Sequence, residues 1–463
     1  MPERCQIRDP VHNFIELGKK EAHIVGTPLF QRLRGISQLA MAYLVYPGAL
    51  HTRFDHTLGV FHVASLMCRH LGLNDDEREI VRLAALLHDL GHGPFSHVSE
   101  TPLKRYANPD AIPAEQKKEK IHELITAHFI QNDPEIVRIL GRDSCETVVK
   151  LLAKGHGRPA LRSIVSGPLD ADKQDYLLRD SRFCGVEYGS FDIFQLHRSL
   201  ILGGPKEEEE LMVDEDGIHA VEQYMLAKYY LTKNVYRHKV RLISDQMLVR
   251  AIILGIEMDG IDELRKLYSY DLTGEFFDYF AKWNDHRLLA SFDSVARPGT
   301  YCGRLFHRLQ NRQLHKRIYS VRLRDLDDLE VAAVLLELGE KANDALRSGM
   351  ERQIAEKIRE HFKKEVDPHE VIIHTFDIDS VRSSSRNDEK SIRVLSRQGP
   401  KPFEEASTLF ESIDEKYKEG FVEVYAPVTW ETRADRSKAV RSLDQPVREI
   451  LLTQTKATTK GGP

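Results

Sequence analysis

The sequence has little cysteine and no long apolar run, and both features limit what the chain can be. Its five cysteines are scattered along 463 residues, and no Cys-x-x-Cys pair occurs. An odd, dispersed set predicts a reduced protein without a disulfide framework or a thiolate metal site. No apolar segment approaches the roughly 18 residues that a membrane-spanning helix needs, so no membrane partner is predicted.

The chain also lacks a strong charge of either sign. Its formal net charge is −5, which argues against a generally basic nucleic-acid-binding protein. The opening residues MPERCQIRDP contain no hydrophobic signal-peptide region, so a cytoplasmic location is expected. Because thiolate sites are not predicted, any metal has to be held by carboxylates and by some of the 21 histidines.

Apolar residues recur every three or four positions through most of the chain, which predicts a mainly α-helical fold. Residues 103–120 form a polar stretch that predicts a surface loop. Helices are predicted over 54–72, 76–90, 122–131, 143–154, 171–180, 218–254 and 329–362.

The pattern changes after about residue 365, where strand-like segments begin. The last eleven residues, TQTKATTKGGP, predict a disordered tail. We therefore predict a helical-bundle core with a small α+β C-terminal unit. Its strands are predicted over 370–376, 391–396 and 421–427, and its helix over 403–418.

Three short segments carry polar residues that helical packing does not explain. HTRFDHTLG begins at His51, LLHDLGHGPFSH spans residues 86–97, and LDADKQDYLLRD spans 169–180. Taken singly, each histidine is most simply a solvated or hydrogen-bonded residue, and the aspartates could cap helices or turns. Together they supply two histidines and two aspartates, a ligand set that suits Fe, Mn, Zn or, with more water, Mg.

These segments resemble the HD-domain metal phosphohydrolases. IRDPVHNFIEL, TPLFQRLRGISQLAMAYLVYPGALHTRFDHTLGV and VYRHKV extend the resemblance to the deoxynucleoside triphosphate triphosphohydrolase (dNTPase) branch, over roughly residues 7–250. The resemblance implies roles for the residues that match its motifs. The implied metal ligands are His56, His88, Asp89 and Asp172; the catalytic histidines are His92, His97 and His122; the substrate-binding residues are Gln38, Leu39, Arg53, Lys173, Tyr176, Asp180 and Tyr236; and the effector-binding residues are Gln31 and Arg34.

The same resemblance implies a reaction. One or two divalent ions (Mn, Fe, Mg or Zn) would provide a metal-bound hydroxide that attacks the α-phosphorus of a deoxynucleoside triphosphate, giving a deoxynucleoside and tripolyphosphate. His97 is the expected proton donor to the leaving 5′-oxygen. Gln38 and Leu39 are expected to pack against the sugar and to exclude a 2′-hydroxyl.

The branch also implies a homo-oligomer, a dimer or tetramer, with effector pockets at subunit contacts. Gly26 stands where regulated members have an acidic residue for guanine, so a deoxynucleotide effector is expected rather than GTP specifically. Lys228 and Thr232 depart from the branch's Arg and His, which leaves the base preference open. The predicted division is an HD core with the effector segment over 1–200, a helical extension completing the substrate pocket over 201–365, and the α+β unit over 366–463.

Two other functions stay open. The metal site could serve an HD-type phosphodiesterase or nuclease acting on cyclic nucleotides or single-stranded DNA, for which the basic stretches RVLSRQGPKP and RADRSKAVR are the only support. The chain could also be a nucleotide-binding regulatory scaffold with little turnover. A complete ligand set argues against the scaffold, and the apparent triphosphate-binding residues argue against the nuclease.

Overall fold

The computed structural model describes residues 4–112, 120–153, 158–205, 208–295, 299–326, 328–379, 391–412 and 418–460. Their contacts divide the chain into two compact units, each assembled from separate segments. The three consecutive segments predicted from the sequence stay a prediction. Unit 1 comprises Met1–Tyr236, Lys266–Leu289 and Val381–Lys416, and unit 2 comprises Arg237–Arg265, Ala290–Ser380 and Tyr417–Pro463.

Helices dominate the described residues, which confirms the predicted fold class. None of them is both long enough and apolar enough to cross a bilayer. In chain order they are α1 (Lys19–Val25), α2 (Pro28–Gln31), α3 (Arg53–His70), α4 (Asp75–Leu87), α5 (Glu100–Tyr106), α6 (Ile121–Asn132), α7 (Pro134–Leu140), α8 (Arg142–Leu152), α9 (Pro159–Val165), α10 (Ala171–Cys184), α11 (Ile193–Ser199), α12 (Ile218–Leu231), α13 (Lys239–Glu257), α14 (Asp262–Tyr268), α15 (Gly274–Phe280), α16 (Asp285–Val295), α17 (Tyr301–Gln310), α18 (Leu329–Leu336), α19 (Asp344–Phe362), α20 (Phe403–Ala406), α21 (Thr408–Glu411) and α22 (Arg433–Lys460).

The strands form three small sheets. Strands β1 and β2 make an antiparallel hairpin with Asp9 opposite Asn13, and β3-β4-β7-β8 make a four-stranded sheet, both within unit 1. Within unit 2, β5-β9-β6 make an antiparallel sheet. The bounds are β1 (Arg4–Asp9), β2 (Asn13–Gly18), β3 (Leu200–Gly203), β4 (Glu210–Asp214), β5 (Lys316–Arg322), β6 (Ile372–Asp379), β7 (Arg393–Ser396), β8 (Gly399–Pro402) and β9 (Lys418–Ala426).

Local capping fixes where the helices of the site begin. Thr52 and Asp55 form a capping box at the start of α3, because each side chain binds the other's backbone N–H. The Asp170 carboxylate accepts the Lys173 N–H at 2.7 Å and starts α10. Gly185, with φ of +68°, ends α10 in the left-handed conformation that favours glycine. Helices α3 and α10 pack against each other in unit 1.

One face of the three-stranded sheet carries the core of unit 2. Val422, Val424 and Ala426 alternate along β9 and point to the same side, where they join Met350 and Ile354 of α19. Helix α22 adds an apolar stripe to the same cluster through Leu443, Val447, Ile450 and Leu451. The C-terminal α+β character predicted from the sequence is therefore present in this unit.

The predicted continuous helix over 218–254 is wrong. Helix α12 ends at Leu231, residues Thr232–Tyr236 form a π-helical turn, and α13 begins at Lys239. The Thr232 hydroxyl and the Asn234 amide donate to the carbonyls four residues earlier at 2.8 and 2.9 Å, and such local bonds compete with the helical ladder.

Three further expectations near the chain's polar segments need correction. The helix predicted over 403–418 is two single turns, α20 and α21, because Ser407 interrupts the first and caps the second. The predicted tail is helical as far as Lys460, since the apolar stripe of α22 extends to the buried Thr455. In the predicted loop 103–120, residues up to Tyr106 belong to α5. Residues 113–119, 413–417 and 461–463 lie outside the described residues.

Candidate active site and metal centre

Three predicted metal ligands come together in unit 1. His56 lies in the first turn of α3, His88 directly follows α4, and Asp172 lies in the first turn of α10. One ligand atom of each lies within 4.8 Å of the other two. Nε2 of His56 is 3.0 Å from Oδ1 of Asp172, and Nε2 of His88 is 3.9 Å from the same oxygen.

Both imidazoles present the nitrogen that a cation needs. Nδ1 of His88 is 2.8 Å from the Ala85 carbonyl, an acceptor, so Nδ1 carries the proton and Nε2 the lone pair. Nδ1 of His56 is 2.8 Å from Oδ2 of Asp175, which orients the ring so that Nε2 faces Asp172. Nε2 of His88 is buried and has no hydrogen-bond partner among the described residues. An orphaned imidazole nitrogen beside a carboxylate fits a divalent cation.

The charge of the cluster also calls for a cation. Burial alone would lower the pKa of His56, but its contacts with Asp172 and Asp175 raise that pKa to about 10. Burial alone would raise the pKa of Asp172, but His56, His88 and Lys173 lower it to about 2. The carboxylates therefore stay ionised and favour a positive charge between them, which is a proton on His56 unless a bound cation replaces it.

Asp89, the fourth predicted ligand, lies beside this group. Its Oδ1 is 3.3 Å from Nε2 of His88, and its Oδ2 is 3.8 Å from Nε2 of His56. Oδ2 also accepts a 2.6 Å bond from Nη1 of Arg53. Although burial opposes it, the Arg53 guanidinium holds the pKa of the Asp89 carboxyl well below its usual range. Asp89 is thus an ionised carboxylate that lies between the two histidines and the Arg53 guanidinium.

The three predicted catalytic histidines form one cluster. The rings of His92 and His122 stack at 4.0 Å, and the ring of His97 lies 5.2 Å from that of His92. Nδ1 of His122 is 2.7 Å from Oε2 of Glu100, which orients that ring. Burial, with Arg53 and His122 nearby, holds the pKa of His92 well below its usual range, so His92 is neutral at physiological pH.

A cavity of about 240 Å³ joins these groups. Gln38, Arg53 and Tyr176 line it together with the three histidines, His88, Asp89 and Asp172. Its other wall is mostly apolar and includes Leu124 of α6. Oε1 of Gln38 and Nδ1 of His92 are buried without partners among the described residues. Unsatisfied polar atoms around one cavity indicate a ligand site.

Four predicted substrate residues do not line this cavity. Leu39 is buried beside Gln38. Nζ of Lys173 donates to Oδ2 of Asp170 at 2.5 Å and to the Gly167 carbonyl at 3.1 Å, so its charge is already paired. The Tyr236 hydroxyl donates to Oδ2 of Asp180 at 2.6 Å, and Nε2 of His51 is 2.7 Å from the other oxygen of that carboxylate.

The predicted effector residues bind each other. Nε of Arg34 donates to Oε1 of Gln31 at 2.8 Å, and the Gln31 amide donates to the Val25 carbonyl at 2.6 Å. The Arg34 guanidinium lies 3.5 Å from the centroid of the Phe54 ring. Their role in effector binding stays a prediction.

Sequence reasoning gave no role to several residues that support the site. Asp175, Arg179, His12 and Asp9 form a buried polar network behind His56. The segment LDADKQDYLLRD offered a signal for two of them, since Asp175 and Arg179 are four residues apart on one helix face. Nothing local in IRDPVHNFIEL predicts that Asp9 and His12 reach that face.

Asp285 is a second support that the sequence did not indicate. Its carboxylate accepts the Phe95 N–H at 2.6 Å and the Ser37 N–H at 2.9 Å. Asp285 therefore connects the loop that precedes His97 with the segment that follows α2. Phe95 and Ser96 have φ of 59° and 54°, a left-handed conformation that strains non-glycine residues. Burial raises the pKa of Asp285 to about 6. The carboxylate holds a strained loop in place.

We expect Asp285→Ala to lower the free energy of unfolding by about 2–4 kcal/mol, because one buried and one partly buried N–H group lose their acceptor. Turnover should fall with it, since the loop carries His97. Urea unfolding measures the loss, and Asp278→Ala, which removes an exposed carboxylate of α15, is the matched control. Equal stability of the two variants would show that Asp285 does not hold the loops.

Comparison with known proteins gives the family. Residues 53–180 match the family model for the HD domain, and residues 197–449, more than half of the chain, match that for the HD associated region. The chain is 35% identical over 261 residues to an uncharacterized protein of Bacillus subtilis, covering 54% of this chain and 56% of that one. It is 31% identical over 314 residues to the deoxynucleoside triphosphate triphosphohydrolase SAMHD1 of Homo sapiens, covering 61% of this chain and 50% of that one.

The chain thus spans about half the length of these curated relatives. The crystal structure of a hypothetical protein from Aquifex aeolicus is similar along nearly the whole chain, with a TM-score of 0.67 and 28% identity, and it covers 97% of this chain and 100% of that one. The His-His-Asp group lies within the residues that match the HD domain, and the HD associated region follows them in the chain. The chain belongs to the HD-domain phosphohydrolases that carry an HD associated region.

Proposed function

We propose that this protein is a metal-dependent triphosphohydrolase of deoxynucleoside triphosphates. The observation that carries the proposal is the single cavity lined by a metal-binding group, a guanidinium, three imidazoles and the Gln38 amide. Such a pocket suits a polyanion with a sugar attached. The SAMHD1 relatives from chicken, cattle and human, at 28–31% identity, are deoxynucleoside triphosphate triphosphohydrolases, which supports the same substrate class.

His56, His88 and Asp172 would hold the divalent cation, with Asp89 beside them. A cation bound there supplies Lewis acidity that polarises a phosphoryl group. Arg53 and the Tyr176 hydroxyl line the cavity and can donate to phosphate oxygens. Burial, with Asp172 nearby, raises the pKa of Tyr176 well above its usual range, so its hydroxyl remains a donor.

The histidine cluster supplies the proton that the leaving group requires. Cleavage of the bond between the α-phosphorus and the 5′-oxygen leaves an alkoxide, which is a poor leaving group unless it is protonated. His97 lines the cavity, is exposed to it, and lies 3.3 Å from Nη2 of Arg53. We assign the proton transfer to His97. Desolvation in the cavity, with Arg53 and His92 nearby, lowers the pKa of His97, so a polyanionic substrate in the cavity would be needed to favour its protonated form.

The test is hydrolysis of each of the four deoxynucleoside triphosphates by the purified protein with Mn²⁺. The proposal expects tripolyphosphate and a deoxynucleoside, and chelation should stop the reaction. Release of mononucleotides from single-stranded DNA without attack on free triphosphates would favour the nuclease instead. Nucleotide binding without turnover would favour the regulatory scaffold.

Deoxyribose selection gives a sharper prediction for Gln38. Because Gln38 is only 6% exposed and lines the cavity, a 2′-hydroxyl packed against it would be crowded. We expect a preference of at least about 100-fold for dATP over ATP, falling to about tenfold or less in Gln38→Ala. Ratios of kcat/KM measure it, and Gln131→Ala, an exposed residue of α6, is the control. Equal rates on both substrates in the wild-type protein would remove Gln38 from this role.

A further inference from the structure

The nitrogen of His56 that faces away from the metal group rests on a buried polar network. Nδ1 of His56 is 2.8 Å from Oδ2 of Asp175, and both residues are fully buried. Two nitrogens of Arg179 donate to the same carboxylate, at 2.9 Å to Oδ2 and at 3.0 Å to Oδ1. Arg179 lies one turn along α10 from Asp175, so the helix itself holds the two side chains next to each other.

The last donor to Asp175 comes from a distant part of the chain. Nε2 of His12 is 2.6 Å from Oδ1 of Asp175, and the His12 side chain is 7% exposed. His12 lies in the three-residue loop of the β1-β2 hairpin, 163 positions before Asp175. The hairpin therefore reaches the residue that orients a metal ligand.

The hairpin loop is itself held by the network. Oδ1 of Asp9 accepts the N–H groups of Val11 and His12, both at 2.8 Å, which shapes the loop around the imidazole. Oδ2 of Asp9 accepts a 2.8 Å bond from Nη1 of Arg179. One guanidinium thus binds the carboxylate behind His56 and the carboxylate that fixes His12.

We propose that His12 and Asp175 are positioning residues for the metal centre, so that seating of the amino-terminal hairpin sets the orientation of the His56 imidazole. Partners of this kind fix the tautomer and the direction of a metal-binding histidine. The inference rests on the metal centre of the proposed function. It adds a part of the chain, residues 4–18, that contacts neither the cavity nor the metal-binding atoms.

The experiment measures the affinity for Mn²⁺ by calorimetry with no nucleotide present, at a temperature where circular dichroism shows each variant folded. His12→Leu removes the donor to Asp175 and should weaken Mn²⁺ binding about tenfold. His12→Gln keeps an N–H at a similar reach and should stay within about threefold of the wild type. Asp175→Asn should weaken binding by about 10- to 100-fold.

The matched control is His70→Gln. His70 lies in α3, as His56 does, but its Nε2 lies 3.2 Å from the Leu200 carbonyl and not near Asp175. Its affinity for Mn²⁺ should be unchanged. If His12→Leu and His12→Gln weaken Mn²⁺ binding equally, His12 acts by packing and the proposal is wrong. Wild-type affinity in His12→Leu, or a loss of affinity in His70→Gln, would also overturn it. Should Asp175→Asn fail to fold, the His12 pair still decides.

Failure of this inference and failure of the proposed function give different results. Mn²⁺ binding that follows the His12 pattern in a protein that leaves every deoxynucleoside triphosphate intact would support the positioning role and refute the substrate. Hydrolysis of a deoxynucleoside triphosphate by a protein whose Mn²⁺ affinity is unchanged in His12→Leu would support the substrate and refute the positioning role.

Discussion

Asp172→Ala is expected to abolish tight metal binding and to reduce hydrolysis by more than about 10³-fold, on the order of 4 kcal/mol of transition-state stabilisation. The reason is geometric, since one oxygen of Asp172 lies 3.0 Å from Nε2 of His56 and 3.9 Å from Nε2 of His88. Removing it also takes away one of the two α10 carboxylates that contact the His56 imidazole, and Asp175 remains. Metal content by atomic emission and the rate of tripolyphosphate release measure the two losses.

The control is Asp143→Ala, which removes an exposed carboxylate near the start of α8. It should bind metal and turn over like the wild type. Undiminished metal content in Asp172→Ala, with wild-type hydrolysis, would place the metal centre elsewhere in the molecule.

Gly59→Ala should destabilise the fold by about 3–5 kcal/mol and weaken metal binding without touching a ligand. A Cβ at this position would lie 1.9 Å from Oδ1 of Asp175 and 2.4 Å from Nη2 of Arg179. Glycine in α3 is therefore what allows the ion pair of α10 to lie against that helix. A methyl group would separate the two helices or break a buried, hydrogen-bonded charge pair.

Gly349→Ala is the matched control, because it lies inside α19 and a Cβ there meets nothing within 4 Å. That variant should be as stable as the wild type or gain about 0.5–1 kcal/mol. Urea unfolding with and without Mn²⁺ compares the two. A Gly59→Ala protein as stable as the Gly349→Ala protein would contradict the close approach of α3 and α10.

The parts of the site that the sequence predicted are those with local signals. His56 and Asp172 follow helix caps, and His88 ends a helix whose apolar face is regular, so their backbone positions follow from residues within one or two turns. The structure brings these three together as the spacing and the resemblance implied. Asp89 and the three histidines predicted to be catalytic line the same cavity.

What the sequence did not predict depends on long-range contacts. Asp285 binds the Phe95 N–H across 190 positions, and His12 binds Asp175 across 163. No periodicity or local motif encodes such a pairing, because each partner is an ordinary turn or helix residue in its own segment. The break after Leu231 combines both kinds of contact. The Thr232 and Asn234 side chains bond to carbonyls of the preceding turn, and the Tyr236 hydroxyl binds Asp180, 56 positions earlier, which only the folded chain brings close.

Hydrolysis of dATP with Mn²⁺ in ¹⁸O-labelled water, followed by mass spectrometry of the products, tests the central claim most directly. Attack of water on the α-phosphorus forms a new phosphorus–oxygen bond and breaks the bond to the 5′-oxygen, which takes up a proton. The account predicts tripolyphosphate that carries one ¹⁸O and deoxyadenosine that carries none, with neither product formed by Asp172→Ala. Deoxyadenosine monophosphate with pyrophosphate, or intact dATP, would contradict it.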